Sequence, residues 1–188
     1  RFGVETTYYD PLIGSGIKDQ FQANTKTVYV ESPGSHSFEV QDIPVIAEKC
    51  RKAGIKVVMD NTWSAGYFFK PFDHGVDVSV QAATKYFVGH SDAMLGSVTT
   101  TRENFDAIRN SARLLGYHAS PDDAYLGLRG IRTLGARIKR HEKNALQVAE
   151  WLRGRPEVVE LRHPAFPSCP GHDTWKRDFS GSSGLFSV

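Results

Sequence analysis

Short apolar runs alternate with polar, turn-forming stretches along the first hundred residues, which is typical of an α/β sheet. Asp42 is a candidate N-cap for a helix whose apolar positions recur at helical spacing and which ends at Gly54. This helix lies between two predicted strands, and such a βαβ unit implies that they are parallel. The pattern predicts four strands, at 26–31, 55–59, 76–80 and 94–100.

The second half of the chain shows helical periodicity. Thr100 and Glu103 fit a capping box for one helix, which Gly116 closes. Ser120 and Asp123 fit another, which opens a long helical pattern reaching Leu152. Glycines inside a helix are unfavourable, so a break or a close packing contact is expected where three of them interrupt this pattern, at Gly127, Gly130 and Gly135.

Both ends of the chain are less regular. A strand is possible within residues 1–25, where Gly14 and Gly16 predict a loop but lack the third glycine of a dinucleotide-binding turn. Near the other end, residues 157–164 predict the first strand of a further module, and the segment to Gly171 is loop-like.

Composition and charge narrow the class of protein. The chain has 188 residues, 40% of them hydrophobic, and a formal net charge of +2, which gives no electrostatic reason to expect nucleic acid or a membrane surface. No apolar run has the length of a membrane span. Cys50 and Cys169 form no metal or disulfide spacing, which favours a reducing, cytoplasmic location.

Two predicted strand ends carry groups that could do chemistry. Asp60 directly follows the second strand and Lys85 comes shortly after the third. Carboxyl ends of parallel strands meet at one edge, so both are expected to face one crevice. An amine and a carboxylate there suit pyridoxal phosphate, with Thr84 offering a hydroxyl to its phosphate. On spacing alone, a capping aspartate and a solvated turn lysine are the commoner interpretation.

Other chemistries have weaker support. The run VVMD ending at Asp60 could hold a nucleotide's magnesium, but the chain has no phosphate-binding loop of the kind such sites require. The seven histidines show no metal-ligand spacing, so no structural metal is expected. His90, Ser91 and Asp92 are consecutive and therefore cannot face one another as a catalytic triad.

Four blocks of sequence resemble, in order, those of the cysteine and methionine metabolism family of pyridoxal-phosphate enzymes. They are ESPGS (31–35), DNTWSAGYFFKP (60–71), QAATKYFVGHSDAMLG (81–96) and LRGIRTLGARIKRH (128–141). The resemblance implies an α/β, aspartate-aminotransferase-like (fold type I) architecture with a mostly parallel sheet. It implies a large cofactor-binding domain over 1–135, a connecting helix over 136–155 and the start of a smaller α/β domain over 156–188.

The resemblance also implies the roles of single residues. Lys85 is the catalytic lysine that forms the Schiff base with pyridoxal 5'-phosphate, Asp60 pairs with the pyridine nitrogen, and Thr84 binds the phosphate. Ala82 belongs to the same cofactor-binding set. Many family members have a serine at the position of Ala82 that also contacts the phosphate, so that donor is missing here.

The implied reaction is α,β-elimination by a carbon–sulfur lyase of methionine biosynthesis. An amino acid with a thioether at Cβ, cystathionine, would give homocysteine, pyruvate and ammonia. A relative that catalyses γ-elimination or γ-replacement is the alternative within the family. The resemblance further implies a homotetramer, built as a dimer of dimers.

Family chains are about twice as long as this one, on the order of 400 residues. The resemblance therefore implies that residues 1–188 are an interior piece, with further phosphate and substrate-carboxylate ligands outside it. A truncated, non-catalytic fragment is the alternative of a different class.

Overall fold

A computed structural model describes residues 2–188 and has a four-stranded sheet at its centre. Strands β1, β2 and β3 are parallel neighbours, and β4 is antiparallel to β3 at one edge. The predicted mostly parallel α/β sheet is therefore confirmed. The strands span Thr27–Glu31 (β1), Lys56–Asp60 (β2), Val78–Gln81 (β3) and Ser97–Thr100 (β4).

Helix α1 (Ile43–Lys52) makes the crossover between β1 and β2. It begins as the sequence predicts, because the Asp42 carboxylate accepts a hydrogen bond from the Val45 N–H at 3.3 Å. Ile43, Ile46 and Cys50 form its fully buried face. That face packs with the buried strand residues into the main core, which fixes the βαβ unit.

The two faces of the sheet have different surroundings. Val30, Val57 and Met59 point into the core, each at most 1% exposed. Their neighbours on the strands point to the other face, where Tyr29 is 55% exposed and Asp60 half-buried. We call this second side the open face of the sheet. The carboxylate of Asp60, the last residue of β2, lies on it.

Three helices follow the sheet: α2 (Arg102–Leu114), α3 (Pro121–Ile131) and α4 (Leu134–Arg153). The Ser120 hydroxyl caps α3 by accepting from the Asp123 N–H at 3.0 Å, as predicted. The capping box predicted at Thr100 is wrong. Thr101, not Thr100, is the N-cap of helix α2, and its hydroxyl accepts from the Asn104 side-chain amide at 2.9 Å instead of capping a backbone N–H. The Glu103 carboxylate pairs with Lys56 at 2.9 Å.

The predicted long helix is interrupted between α3 and α4, and the predicted close packing is present at the same place. A Cβ atom on Gly130 would lie 2.1 Å from the Phe87 carbonyl oxygen and 2.4 Å from that of Val88. A Cβ atom on Gly127 would lie 2.6 Å from Leu95. These glycines therefore let α3 touch the segment that follows β3.

Several expectations for the chain ends are wrong. Within residues 2–25 the regular element is a 3-10 helix, Gly14–Gln20, where the sequence predicts a strand and a glycine loop. The strand expected at 157–164 is reduced to a single bridge between Arg162 and Ser187, because 157–160 have no strand partner. A short helix, α5 (His172–Asp178), was not predicted.

The last thirty residues pack against the α/β core. The Val40 N–H donates to the Pro170 carbonyl at 3.0 Å, and Arg162 pairs with Glu39 at 3.1 Å. Cys169 and Phe179 belong to the same core cluster as the strands. The division at residues 135 and 156 stays a prediction. Among residues 2–188, no helix is long and apolar enough to cross a bilayer, and no cluster of side chains could hold a metal ion.

Candidate active site

The segment that carries Lys85 is a loop whose two ends are paired. Gln81, the last residue of β3, lies opposite Ser97, the first residue of β4. A second connection lies just inside this pair, since the Thr84 N–H donates to the Leu95 carbonyl at 2.8 Å and the Thr84 hydroxyl accepts from the Leu95 N–H at 2.8 Å. We call residues 82–96 the lysine loop.

Lys85 is exposed and lines a cleft of about 920 Å³. Within residues 2–188, its amine has no hydrogen-bond or ion-pair partner. The cleft has mixed walls: the lysine loop on one side, the helices α3 and α4 on another, and the 184–185 segment on a third. Its charged and aromatic lining residues are Lys85, Tyr86, Asp92, Asp123 and His141. A free amine in a cleft of this size can form an imine with a carbonyl compound.

Arg137 of α4 packs against the lysine loop at Gly89. Its guanidinium donates to the Gly130 carbonyl at 2.7 Å and occupies the space where a Cβ on Gly89 would lie. Burial lowers the pKa of Arg137, and its Nη1 is buried without a partner among the described residues. Arg137 therefore links Gly130 of α3 to Gly89 of the lysine loop.

Asp60 is joined to the start of the lysine loop by two hydrogen bonds. Its carboxylate accepts from the Thr62 N–H at 2.9 Å, and the Thr62 hydroxyl accepts from the Ala82 N–H at 2.8 Å. Asp60 itself lies on the open face of the sheet and does not line the Lys85 cleft. Asp60 thus ends β2 and Lys85 follows the neighbouring strand β3. That they lie at two strand ends agrees with the prediction, while their shared crevice stays a prediction.

Tyr29 is a further residue near Asp60 that the sequence did not single out. Burial, followed by the nearby negative charges of Asp60 and Glu31, raises the pKa of Tyr29. The side chain lies on β1, on the same face as Asp60. Period-two alternation within β1 was the available signal, because it places Tyr29 and Glu31 on one side of the strand.

Thr84, the predicted phosphate ligand, and Ala82 of the predicted cofactor-binding set are already engaged within the protein. The Thr84 hydroxyl donates to the Leu95 carbonyl at 3.1 Å, so it must release this acceptor to reach a phosphate. The Ala82 N–H is held by Thr62. The free amine of Lys85 and the half-buried carboxylate of Asp60 fit pyridoxal phosphate, whereas Thr84 and Ala82 have no uncommitted donor for its phosphate.

Solved structures define the class of protein. The chain superimposes on metB from Corynebacterium glutamicum with a TM-score of 0.94 at 33% identity, covering 98% of this chain and 48% of that one. It superimposes on the Lactobacillus plantarum cystathionine gamma-lyase complexed with L-serine with a TM-score of 0.93 at 28% identity, covering 96% and 48%. The fold is that of the fold type I pyridoxal-phosphate enzymes.

The family follows from the sequence match. Residues 1–188 match the family described as Cys/Met metabolism PLP-dependent enzyme, and the chain belongs to it. The cystathionine beta-lyase of Haemophilus influenzae is 50% identical over the whole of this chain, which corresponds to 48% of that protein. The family resemblance is thereby confirmed, and the chain spans about half the length of the curated relatives it matches.

Proposed function

We propose that the protein is a carbon–sulfur lyase that acts on cystathionine by α,β-elimination. The observation that carries this proposal is the unpaired amine of Lys85 in a large cleft beside the strand ends. The 50% identity to a cystathionine beta-lyase supports cystathionine as the substrate and the Cβ–S bond as the one cleaved. Pyridoxal phosphate, when bound, supplies an electron-poor ring that stabilises negative charge at the substrate Cα.

Lys85 has two roles in this proposal. Its amine would hold the cofactor, and once the substrate's amine has taken its place it would accept the proton from the substrate Cα. As the Cβ–S bond breaks, the same amine would pass that proton to the departing sulfur, which leaves as homocysteine. Addition of water to the remaining three-carbon unit yields pyruvate and ammonia. Asp60 would supply the negative charge that keeps a proton on the pyridine nitrogen.

The alternative is γ-elimination by the same set of groups. The structural likeness to a cystathionine gamma-lyase supports this alternative, since the fold alone does not decide which bond breaks. The two reactions differ in their oxo-acid product, which is pyruvate for the β bond and 2-oxobutyrate for the γ bond. The ESPGS and lysine blocks of the sequence support β-elimination.

An amino-acid substrate, a cytoplasmic location and a tetrameric assembly belong to the same proposal. Both cysteines are free and buried, which suits a reducing compartment. The oligomer rests on the family resemblance.

The test is covalent trapping of the cofactor. Borohydride reduction of the protein loaded with pyridoxal phosphate is expected to place a pyridoxyl group on Lys85, found by peptide mapping. Lys85→Arg should abolish both the label and pyruvate release, because guanidinium forms no imine. Lys70→Arg, at an exposed lysine that donates to the Gly66 carbonyl, is the control and should leave both intact. A label on another lysine, or full activity in Lys85→Arg, would overturn the proposal.

A further inference from the structure

One wall of the Lys85 cleft comes from the segment Ser180–Leu185, here called the wall segment. Gly184 and Leu185 line the cleft together with the lysine loop. The segment lies about a hundred positions after Lys85 in sequence, so its place beside the amine depends on tertiary contacts. Those contacts decide the shape of the space in which Lys85 works.

Four side chains hold the wall segment through hydrogen bonds. The Ser182 N–H donates to the Glu142 carboxylate at 2.8 Å. The Trp63 indole N–H donates to the Leu185 carbonyl at 3.0 Å, and that of Trp175 donates to the Gly181 carbonyl at 3.1 Å. The fourth anchor is Tyr86, whose hydroxyl accepts from the Gly184 N–H at 3.1 Å. Tyr86 alone among these anchors is the direct neighbour of Lys85 in sequence, so its contact joins the wall to the lysine itself.

Packing makes this connection stiff. A Cβ atom on Gly184 would lie 3.0 Å from the Cβ of His141 and 3.5 Å from the Tyr86 hydroxyl, so the backbone is in close contact with both. The Tyr86 and His141 rings are 5.7 Å apart between centroids. Tyr86 also packs on a core cluster that contains Phe68, Leu134 and Ile138. A movement of Gly184 would therefore move the Tyr86 ring.

From these contacts we propose that Tyr86 is a positioning residue, which fixes the Lys85 amine relative to the wall of the cleft by accepting the Gly184 N–H. The proposal rests on the proposed function, since it assigns the amine to the reaction. The Gly184 N–H belongs to the backbone and so has a well-defined position, and Tyr86 directly follows Lys85 in the chain. Proton transfer is sensitive to small displacements of the amine, so the hydroxyl acts on the rate through Lys85.

The test compares Tyr86→Phe with the unchanged protein, both loaded with pyridoxal phosphate. Loss of the hydroxyl is expected to lower kcat at least about tenfold and to change KM less than about threefold, because a displaced amine slows proton transfer more than it weakens binding. The midpoint of the pH titration of the cofactor's visible absorption band should also shift. Unchanged kcat and an unchanged midpoint would overturn the proposal.

Two control variants separate positioning from general loosening. Tyr117→Phe makes the same chemical change at a tyrosine that is 69% exposed, and both readouts should stay as in the unchanged protein. Glu142→Ala removes another anchor of the wall segment. It should lower thermal stability while leaving the titration midpoint in place. A midpoint shift in Glu142→Ala as large as that in Tyr86→Phe would contradict a specific role for Tyr86.

The outcomes also distinguish this proposal from the proposed function. Absence of pyruvate release by the unchanged protein would overturn the elimination reaction only. A shifted absorption midpoint in Tyr86→Phe would then still support the positioning role, because that readout needs the cofactor on Lys85 but no turnover. Normal pyruvate release together with identical titrations in both proteins would overturn the positioning role only.

Discussion

Thr84, which is predicted to bind the cofactor phosphate, also stabilises the folded protein. Its hydroxyl accepts from the Leu95 N–H and donates to the Leu95 carbonyl, while its own N–H donates to the same carbonyl. A threonine oxygen can accept and donate at once, and both capacities are used here. The side chain next to Lys85 therefore closes the base of the lysine loop.

Replacing Thr84 by valine should destabilise the protein. The Leu95 N–H would lose its partner, and an unsatisfied backbone group of this kind costs about 1–3 kcal/mol. Unfolding in urea, followed by circular dichroism, measures the change. Thr84→Ser keeps the hydroxyl and should stay closer to the unchanged protein. Equal stability of the valine variant and the unchanged protein would show that the loop base does not depend on this hydroxyl.

Among the elements, the junction of α3 and α4 controls the position of the lysine loop. Gly130 allows the helix to contact the carbonyls of Phe87 and Val88, and Arg137 donates to the Gly130 carbonyl from the next helix. The interruption between the two helices thus coincides with the contact. A continuous helix would place different residues against the loop.

Gly130→Ala tests this contact. Alanine favours a helix over glycine by about 1 kcal/mol, but its Cβ would meet two backbone oxygens that cannot move without displacing the loop. We expect net destabilisation of about 1–3 kcal/mol, as for overpacking in a core. Gly96→Ala is the matched control, since nothing lies within 4 Å of a Cβ there. Thermal unfolding of both variants measures the change in stability. An unchanged stability of Gly130→Ala would show that the contact of Gly130 with the lysine loop is not tight.

The sequence predicted the sheet and α1 well because their signals are local. The alternating strand pattern, the Asp42 cap and the Ser120 cap each depend on residues close in the chain. It also located Asp60 at a strand end. It missed the contact of Tyr86 with Gly184, the position of Tyr29 near Asp60, and the lost strand at 157–160, because these depend on partners far away in sequence. The capping box predicted at Thr100 was wrong because helix α2 begins one residue later, after Thr101.

At the scale of the whole molecule, the C-terminal segment is held against the α/β core by buried groups. His163 is fully buried, and its Nδ1 accepts from the Ala165 N–H at 3.1 Å. Burial lowers the pKa of His163 to about 4. The ring is therefore neutral in the folded protein at pH 7, and a proton on it opposes folding.

Lowering the pH should therefore decrease the free energy of unfolding through protonation of His163. The unfolded chain binds the proton with a pKa of 6.5 and the folded chain with a pKa of about 4, so this contribution to stability falls as the pH drops through that window. The slope reaches about 1.4 kcal/mol per pH unit. Urea unfolding between pH 7 and pH 4 measures the loss.

His163→Gln removes this titration, so the stability gap between the unchanged protein and the variant should narrow as the pH falls. His118→Gln changes an exposed histidine and should leave the acid dependence unaltered. A gap between the His163→Gln variant and the unchanged protein that stays constant with pH would show that His163 does not sense the proton.

The paired base of the lysine loop has a consequence for how such a site can diversify. Gln81 opposite Ser97, together with Thr84 and Leu95, holds both ends of the loop at one point of the sheet. Substitutions near the tip, where Ser91, Ala93 and Met94 line the cleft, leave that stem unchanged. Substitutions at the tip can therefore change the lining of the cleft while the hydrogen bonds that hold the base of the lysine loop stay the same. The specificity of such a site can change in this way without a change of fold.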